Sequence, residues 1–460
     1  MKPARAILVL VFAACAAAQM KSVNPAGDKI VQSVSQDRIA DIMKKLESFQ
    51  TRDLFSEDDH PTRGIGAARR WIYDQLSGYS PRLQVRFDSY KVKKKGRIVR
   101  DVDVHNVVAV LPGKLNPERQ FIIGAHYDSM ALLHVNPGSP TGGNPPANSS
   151  AQYELANRAE TAPGVSDDGS GVAAVLELAR VMSQYEFEKT VVFVAFAGEE
   201  EGLVGSTLYA AKARRENQII DGVLNNDIIG TEISGNGRIE NGSVWVFSEE
   251  PADSPSRELA RYVRQVGERY QPSLRIESIF RTDRFSRGGD HTPFNLEGYA
   301  AIRFTTPNET YANQHTVTDT FANASAPYTT RVAQANAAVL ASLAFAPKAP
   351  VTSEPILTGP CAGELAPTIG RGQTRYDAAL RWKNDNPEPD LLGYVVVLRK
   401  TTAPDWEREI FVGNVTEYTL KDVSIDDTIF GVKAVDRDGN ESLVSPYVEA
   451  PRRKLEIETY

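Results

Sequence analysis

Apolar residues recur at helical spacing in Gln36 to Phe49 and Gly64 to Leu76, which predicts two amphipathic helices lying on one face of a sheet. Short runs rich in β-branched residues then follow: Asn106 to Leu111, Gln120 to Ala125, Thr190 to Ala197, Val223 to Ile229, Ser243 to Phe247 and Ala300 to Phe304. Each reads as a buried strand. Helical patterns at Gly171 to Gln184 and Ser254 to Tyr270 fall between them, and another at Tyr328 to Phe345 follows the last. Strands alternating with helices predict an α/β three-layer sandwich, a mixed and mostly parallel sheet between helices.

Two stretches break the pattern. Leu132 to Thr161 is rich in Pro, Gly, Asn and Ser and reads as a long loop at the mouth of a site. Near Ala346 to Pro360 the composition shifts to Pro, Ala, Thr and Ser, and alternating runs resume from about residue 375, with turn residues such as Asp438-Gly439-Asn440 between them. The chain therefore divides into a main domain at 19–347, a linker at 348–370 and a small all-β sandwich at 371–453. Through Trp382, the Gly393-Tyr394 strand start and the GVKAVDRDGNESL stretch at 431–443, the last segment resembles a fibronectin type III domain. Its positions carry no evident chemistry, so it is expected to act as a spacer or to dock to a partner or surface.

Composition adds three constraints. The 460 residues are 41% hydrophobic, enough for a large core and more than one domain. A formal net charge of -7, from 59 acidic and 52 basic residues, argues against nucleic acid as a partner. Lys2 and Arg5, the apolar run Ala6 to Ala14 and the small residues Ala16 to Ala18 read as a cleaved signal peptide over 1–18, so a secreted or periplasmic protein is expected. Cys15 offers lipid anchoring as the minor alternative. With that segment removed only Cys361 remains, so no intramolecular disulfide is expected. No second segment approaches the apolar length of a membrane span.

Five motifs carry candidate chemistry. GAHYDS at 124–129 places His126 and Asp128 on one face of a strand end, where His126 suits a metal and Asp128 the other ring nitrogen. PGVSDDGSG at 163–171 crowds Asp167 and Asp168 at the start of a helix. VVFVAFAGEEEGLVGS at 191–206 runs an apolar strand into three glutamates, a costly arrangement unless the charges reach solvent or metal. VLNNDIIG at 223–230 and NQHTVTDT at 313–320 supply Asp227 and His315. Taken singly, each motif equally suits a hydrogen-bonded histidine, a helix cap or a solvated loop.

Their joint order is more specific. Across about residues 40–345 the chain resembles metallopeptidase family twenty-eight, the bacterial leucyl aminopeptidases and their glutamate carboxypeptidase relatives. The resemblance implies two zinc ions per chain bridged by Asp167, with His126 and Asp227 completing one site and Glu200 and His315 the other. It further implies Glu199 as general base and later acid, Asp128 as a catalytic support for His126, a cis Asp167–Asp168 bond, and peptides as substrates. A secreted di-zinc aminopeptidase is thus the expected function.

The match also has departures. Gln314 stands where relatives often carry a tyrosine that donates to the oxyanion, and Tyr311 lies four residues before His315, so the donor is unassigned. Arg281, Arg284 and Arg287 read as a solvated basic loop rather than a carboxylate clamp; His60, His105, His134 and His291 receive no site. A single-zinc glutaminyl cyclase on the same fold, a carboxypeptidase or dipeptidase, and a non-catalytic binding protein are the alternatives.

Overall fold

The protein, a computed structural model, is described for residues 23–133, 158–307, 309–358, 361–384 and 388–448. The expected signal peptide with Cys15, His134, and most of the loop expected after Leu132 lie outside the described residues. The chain forms two compact units, one spanning Pro25–Phe345 and one formed by residues 23–24 with those from Ala346 onward.

The larger unit runs α1 (Pro25–Gln32), α2 (Gln36–Glu47), α3 (Gly64–Tyr79), β1 (Gln84–Val92), β2 (Val102–Leu111), β3 (Asn116–His126), α4 (Ser170–Met182) and β4 (Lys189–Phe196). It continues through α5 (Val204–Arg215), β5 (Ile219–Asn226), β6 (Ser243–Ser248), α6 (Pro255–Tyr270), β7 (Arg275–Ile279), α7 (His291–Leu296), β8 (Ala301–Thr305) and α8 (Ala326–Phe345). The eight strands form one sheet in the order β1-β2-β4-β3-β5-β8-β6-β7. The centre, β4-β3-β5-β8, is parallel, while β1 and β2 on one side and β6 on the other pair antiparallel. This is the expected mixed sheet between helices.

Burial explains which elements the hydrophobic pattern reveals. β4 is buried at every position, as a central parallel strand must be. Val108, Ile122, Val192, Val194 and Phe196 pack beneath Tyr209 of α5 and Phe294 of α7. On α8, sixteen residues are buried, so the helix is apolar nearly all round. α2 starts at an N-cap, Ser35, whose side chain accepts from Arg38 N.

The second unit carries β9 (Ser353–Pro355), β10 (Leu365–Pro367), β11 (Ile369–Gly370), β12 (Ala378–Arg381), β13 (Leu391–Lys400), β14 (Arg408–Gly413), β15 (Glu417–Leu420), β16 (Thr428–Asp436) and β17 (Ser445–Pro446). Sheets β11-β12-β15 and β14-β13-β16-β17 are antiparallel. Trp382 and Tyr394 meet edge to face at 5.5 Å within its core of Leu380, Val396, Phe430 and Val432. The β9–β10 pair lies inside the stretch read from composition as a linker. Cys361 is a free thiol. Among the described residues no helix is long and apolar enough to cross a membrane.

Candidate metal centre

The parallel strands β3, β4 and β5 all end at the same edge of the sheet, and their carboxyl ends deliver the candidate residues there. His126 is the last residue of β3; Glu199 and Glu200 lie just past β4, and Asp227 follows β5 directly. Asp227 therefore sits at the strand's exit rather than within a run reaching Ile229, as the apolar pattern had suggested. Asp167 and Asp168 occupy the turn entering α4, joined by a cis peptide bond. His315 comes from the loop between β8 and α8 with a left-handed backbone, φ 54°.

Asp167 is the hub. Its Oδ1 lies 3.1 Å from His126 Nε2 and its Oδ2 lies 3.2 Å from His315 Nε2. His315 Nε2 is in turn 3.0 Å from Glu200 Oε2, and His126 Nε2 is 3.9 Å from Asp227 Oδ1. Two groups result, His126–Asp167–Asp227 and Asp167–Glu200–His315, each with its ligand atoms within 4.8 Å of one another. One imidazole and two carboxylates per group is a donor set that suits a borderline divalent cation such as zinc. Glu200 Oε1 is buried without a hydrogen-bond partner, as a carboxylate held for a cation would be.

Glu199 belongs to neither group. Its Oε2 stands 4.0 Å from His126 Nε2, and its side chain keeps 14% of its surface exposed. Asp128 orients the cluster in more ways than its spacing implied. Its carboxylate accepts the backbone N–H groups of Glu199 and Glu200 at 3.3 and 3.1 Å, fixing the turn that separates the two side chains. His126 Nδ1 lies nearer the Asp128 backbone carbonyl, 3.2 Å, than its carboxylate, 3.6 Å.

The electrostatics are those of crowded buried acids. Burial pushes the Asp227 carboxyl up to about 7, aided by Asp167 and opposed by His126. Burial, Asp227 and Glu200 hold Glu199 well above the carboxylate range. Burial works against charge on His315, but Glu200 and Asp167 outweigh it and raise the imidazole to about 10. His126 is likewise raised, by Glu199, Asp128 and Asp167 against burial. Burial also opposes charge on Asp167, but hydrogen bonds from both histidines outweigh it and hold the carboxylate well below its ordinary value.

Several residues support the cluster in ways the motifs did not reveal. Asp168 accepts from the N–H groups of His126, Gly171 and Ile228, tying β3 to β5. Asp319 accepts from Ser166 and Asp167 N–H groups and so holds the hub's backbone. Arg52, fully buried, donates to the carbonyls of Leu46, Tyr127, Pro163 and Gly164. Arg303, fully buried on β8, lies 3.1 Å from Asp227 Oδ1. Asp168 lay within a motif without its role being read, and Asp319, Arg52 and Arg303 reach partners mostly remote in the chain.

The third glutamate of the run, Glu201, is buried and pairs with Arg158 at 2.6 Å, and Arg158 also pairs with Asp53. Arg158 bridges Leu132, whose N–H donates to His315 O at 3.0 Å. The arginines expected as a solvated basic loop are mostly engaged: Arg284 pairs with Asp283 and Glu309, Arg287 pairs with Glu309, and Arg281 stacks over Phe285 at 3.7 Å. Glu309 is remote from them in sequence, which is why the local charge run misled. His291 is buried with Nε2 2.9 Å from Thr282 O, His105 meets Ser89, and His60 is exposed; none joins either group.

Comparison with known proteins places the chain among zinc metalloproteases. The chain is 35% identical over 445 residues, 89% of its length and 82% of the relative's, to a probable zinc metalloprotease of Pyricularia oryzae. It is 33% identical over 461 residues, 93% and 98% of the two chains, to another of Leptosphaeria maculans. In fold it is similar to the LapA aminopeptidase of Legionella pneumophila (TM-score 0.50, 19% identity, 69% and 74% coverage). It is equally similar to the glutaminyl cyclase of Porphyromonas gingivalis (TM-score 0.51, 17% identity, 67% and 98% coverage). The model of "Peptidase family M28" matches residues 106–340, a span holding every residue of both ligand groups, and the chain belongs to that family.

Proposed function

We propose that this protein is a secreted zinc-dependent exopeptidase with two zinc ions per chain, most simply an aminopeptidase. The observation that carries the reading is the pair of ligand groups sharing Asp167. His126 and Asp227 would hold one ion, Glu200 and His315 the other, and Asp167 both. Bound zinc supplies Lewis acidity to a water molecule and to the scissile carbonyl.

The chain's own residues do the rest. Glu199 takes the water's proton and passes it to the leaving amine, a role suited to a carboxylate that joins neither ligand group and is partly open to solvent. Asp128 keeps Glu199 and Glu200 apart through their backbone N–H groups, so base and ligand do not exchange places. The alternative, a single-zinc glutaminyl cyclase, leaves the convergence of His126 and Asp227 without a purpose. The three-plus-four antiparallel strands of the second unit support a fibronectin type III-like docking module.

Digestion of defined peptides with free and blocked termini tests the subtype. Cleavage lost only on N-terminal blocking is the expected result; loss only on C-terminal blocking would assign a carboxypeptidase, and a need for both free termini a dipeptidase.

A further inference from the structure

The connection between β1 and β2 carries a charge run that the metal centre does not use. Residues 91–100 hold six bases, Lys91, Lys93, Lys94, Lys95, Arg97 and Arg100, and no acid, although the whole chain is net negative at -7. All six are exposed. The segment is nonetheless fixed: Lys95 and Ile98 exchange backbone hydrogen bonds at 2.9 and 3.0 Å, Ile98 is buried, and Arg100 donates to the Phe55 carbonyl at 2.7 Å. Lys93 pairs with Asp101 at 2.7 Å, whereas Lys91, Lys94 and Lys95 enter no ion pair among the described residues.

Beside this run lies a cavity of about 390 Å³, the size of a small-ligand pocket. Four bases line it, Arg69 of α3 with Lys91, Lys93 and Arg100, against three acids, and the adjoining Lys94, Lys95 and Arg97 add charge of the same sign. Two of those acids are already paired, Asp58 with Arg69 at 2.9 Å and Asp101 with Lys93. The third, Asp103, stands opposite Lys91 in the strand register.

The cavity also abuts the metal centre. Tyr127 and Ala197 form part of its wall. The first is next to His126 and the second is two residues before Glu199, with about 3.8 Å between successive Cα atoms. On the rim, the Phe55 ring lies 5.7 Å from the Arg100 guanidinium and 5.3 Å from that of Arg158, which pairs with Glu201 beside Glu200.

We propose that this cavity and its basic rim bind acidic side chains of a peptide substrate, downstream of the scissile bond, so that acidic peptides are the preferred substrate class. The substrate role rests on the peptidase reading above; the binding itself does not. Asp101 and Asp103 interrupt the bases, which suits separate carboxylates on a flexible peptide and repels a continuous polyanion. An extended chain covers about 3.3–3.6 Å per residue, so acids roughly three to six residues beyond the scissile bond are the ones tested.

The test uses the full chain and matched peptides that carry either glutamates or glutamines at those positions. Binding is read by fluorescence anisotropy on N-acetylated forms, which an aminopeptidase does not consume, and turnover on the free-terminus forms as the Glu-to-Gln ratio of kcat/KM. At low salt the Glu peptide should bind at least about fivefold more tightly, and its advantage in kcat/KM should be of similar size and lie in KM. About 0.5 M salt should erase both, because exposed charges are screened. A variant combining Lys91→Ala, Lys94→Ala and Lys95→Ala should bring both ratios to within about twofold of one, and Asp103→Asn should raise them. Each ratio is taken within one protein, so a change in overall activity does not imitate the effect. Glu and Gln peptides bound equally by the wild type, or a preference that survives the triple variant, would overturn the proposal. Tighter binding of a sulfated polysaccharide or single-stranded DNA than of the Glu peptide would assign the face to a polyanion instead. Selective binding of the acetylated Glu peptide with no free-terminus peptide cleaved would overturn the peptidase reading, and the substrate role with it.

Discussion

Gln314 Nε2 donates to Asp167 Oδ2 at 2.9 Å, on the same oxygen that His315 Nε2 approaches at 3.2 Å. The side chain immediately before His315 therefore addresses the hub carboxylate. Gln314→Glu places a fourth acid against Asp167, Glu200 and Glu199, where like charges repel. We expect kcat/KM on aminoacyl substrates to fall at least about tenfold, with Gln314→Asn less affected. Equal activity of the Glu and Gln forms would show that this contact does not matter.

Glu199→Gln removes the proposed base and leaves both candidate ligand groups in place. Turnover should drop by roughly 10²–10⁴-fold, while metal content measured by elemental analysis stays at the wild-type value. Activity within about threefold of wild type would reassign the base.

Arg52 is buried on all sides and its guanidinium binds four carbonyls, on α2, after β3 and before α4. Burial lowers it to about 10, with Asp319, Asp128 and Asp168 opposing. Arg52→Met strands those carbonyls and is expected to cost about 3 kcal/mol or more in chemical denaturation. A loss under about 1 kcal/mol would mean that the segments hold together without it.

Removal of metal should invert the pH dependence of stability. Asp227, raised to about 7, contributes stability that is full below its unfolded value near 3.8 and lost as pH rises through 7. His315, raised to about 10, contributes stability full below 6.5 and lost towards 10. Asp167 has the opposite sign, but its window lies below 3.8, outside the range compared. Chelator-treated protein should thus melt higher at pH 5.5 than at pH 8, and zinc should reverse the order because ligands bind deprotonated. Equal apo melting temperatures at the two pH values would contradict the crowding described for the cluster.

Every described residue of the two ligand groups lies in the Pro25–Phe345 unit. A chain ending after Pro347 is expected to be soluble, to melt cooperatively and to hydrolyse small aminoacyl substrates. A soluble, metal-loaded but inactive product would give the second unit a part in catalysis.

The central strands were legible because burial on both faces writes a continuous apolar run, as at Thr190 to Phe196. β1 was not: it is an edge strand whose single buried residue is Asp88, so no alternation marks it. α5 hides its inner face behind alanines and Tyr209, and β7 has one buried residue in five. At the site, the residues that the structure brings together in the two groups were readable since each sits at a motif, a strand end or helix entry. Arg303 was not, because within its strand it reads as one polar residue among apolar ones, and its two acids lie at 227 and 283.

The contacts around Leu132 and Arg158 bear on how this site can diversify. The bridge between them holds the two ends of the intervening segment together, and Arg158 ties one end to Glu201, beside the ligand Glu200, while Leu132 ties the other to His315 O. Because both ends are anchored to the scaffold, segments of different length and sequence can be grafted there at a closure cost that grows only with the logarithm of length. An exchange between these two anchors would leave Glu200 and His315 in register.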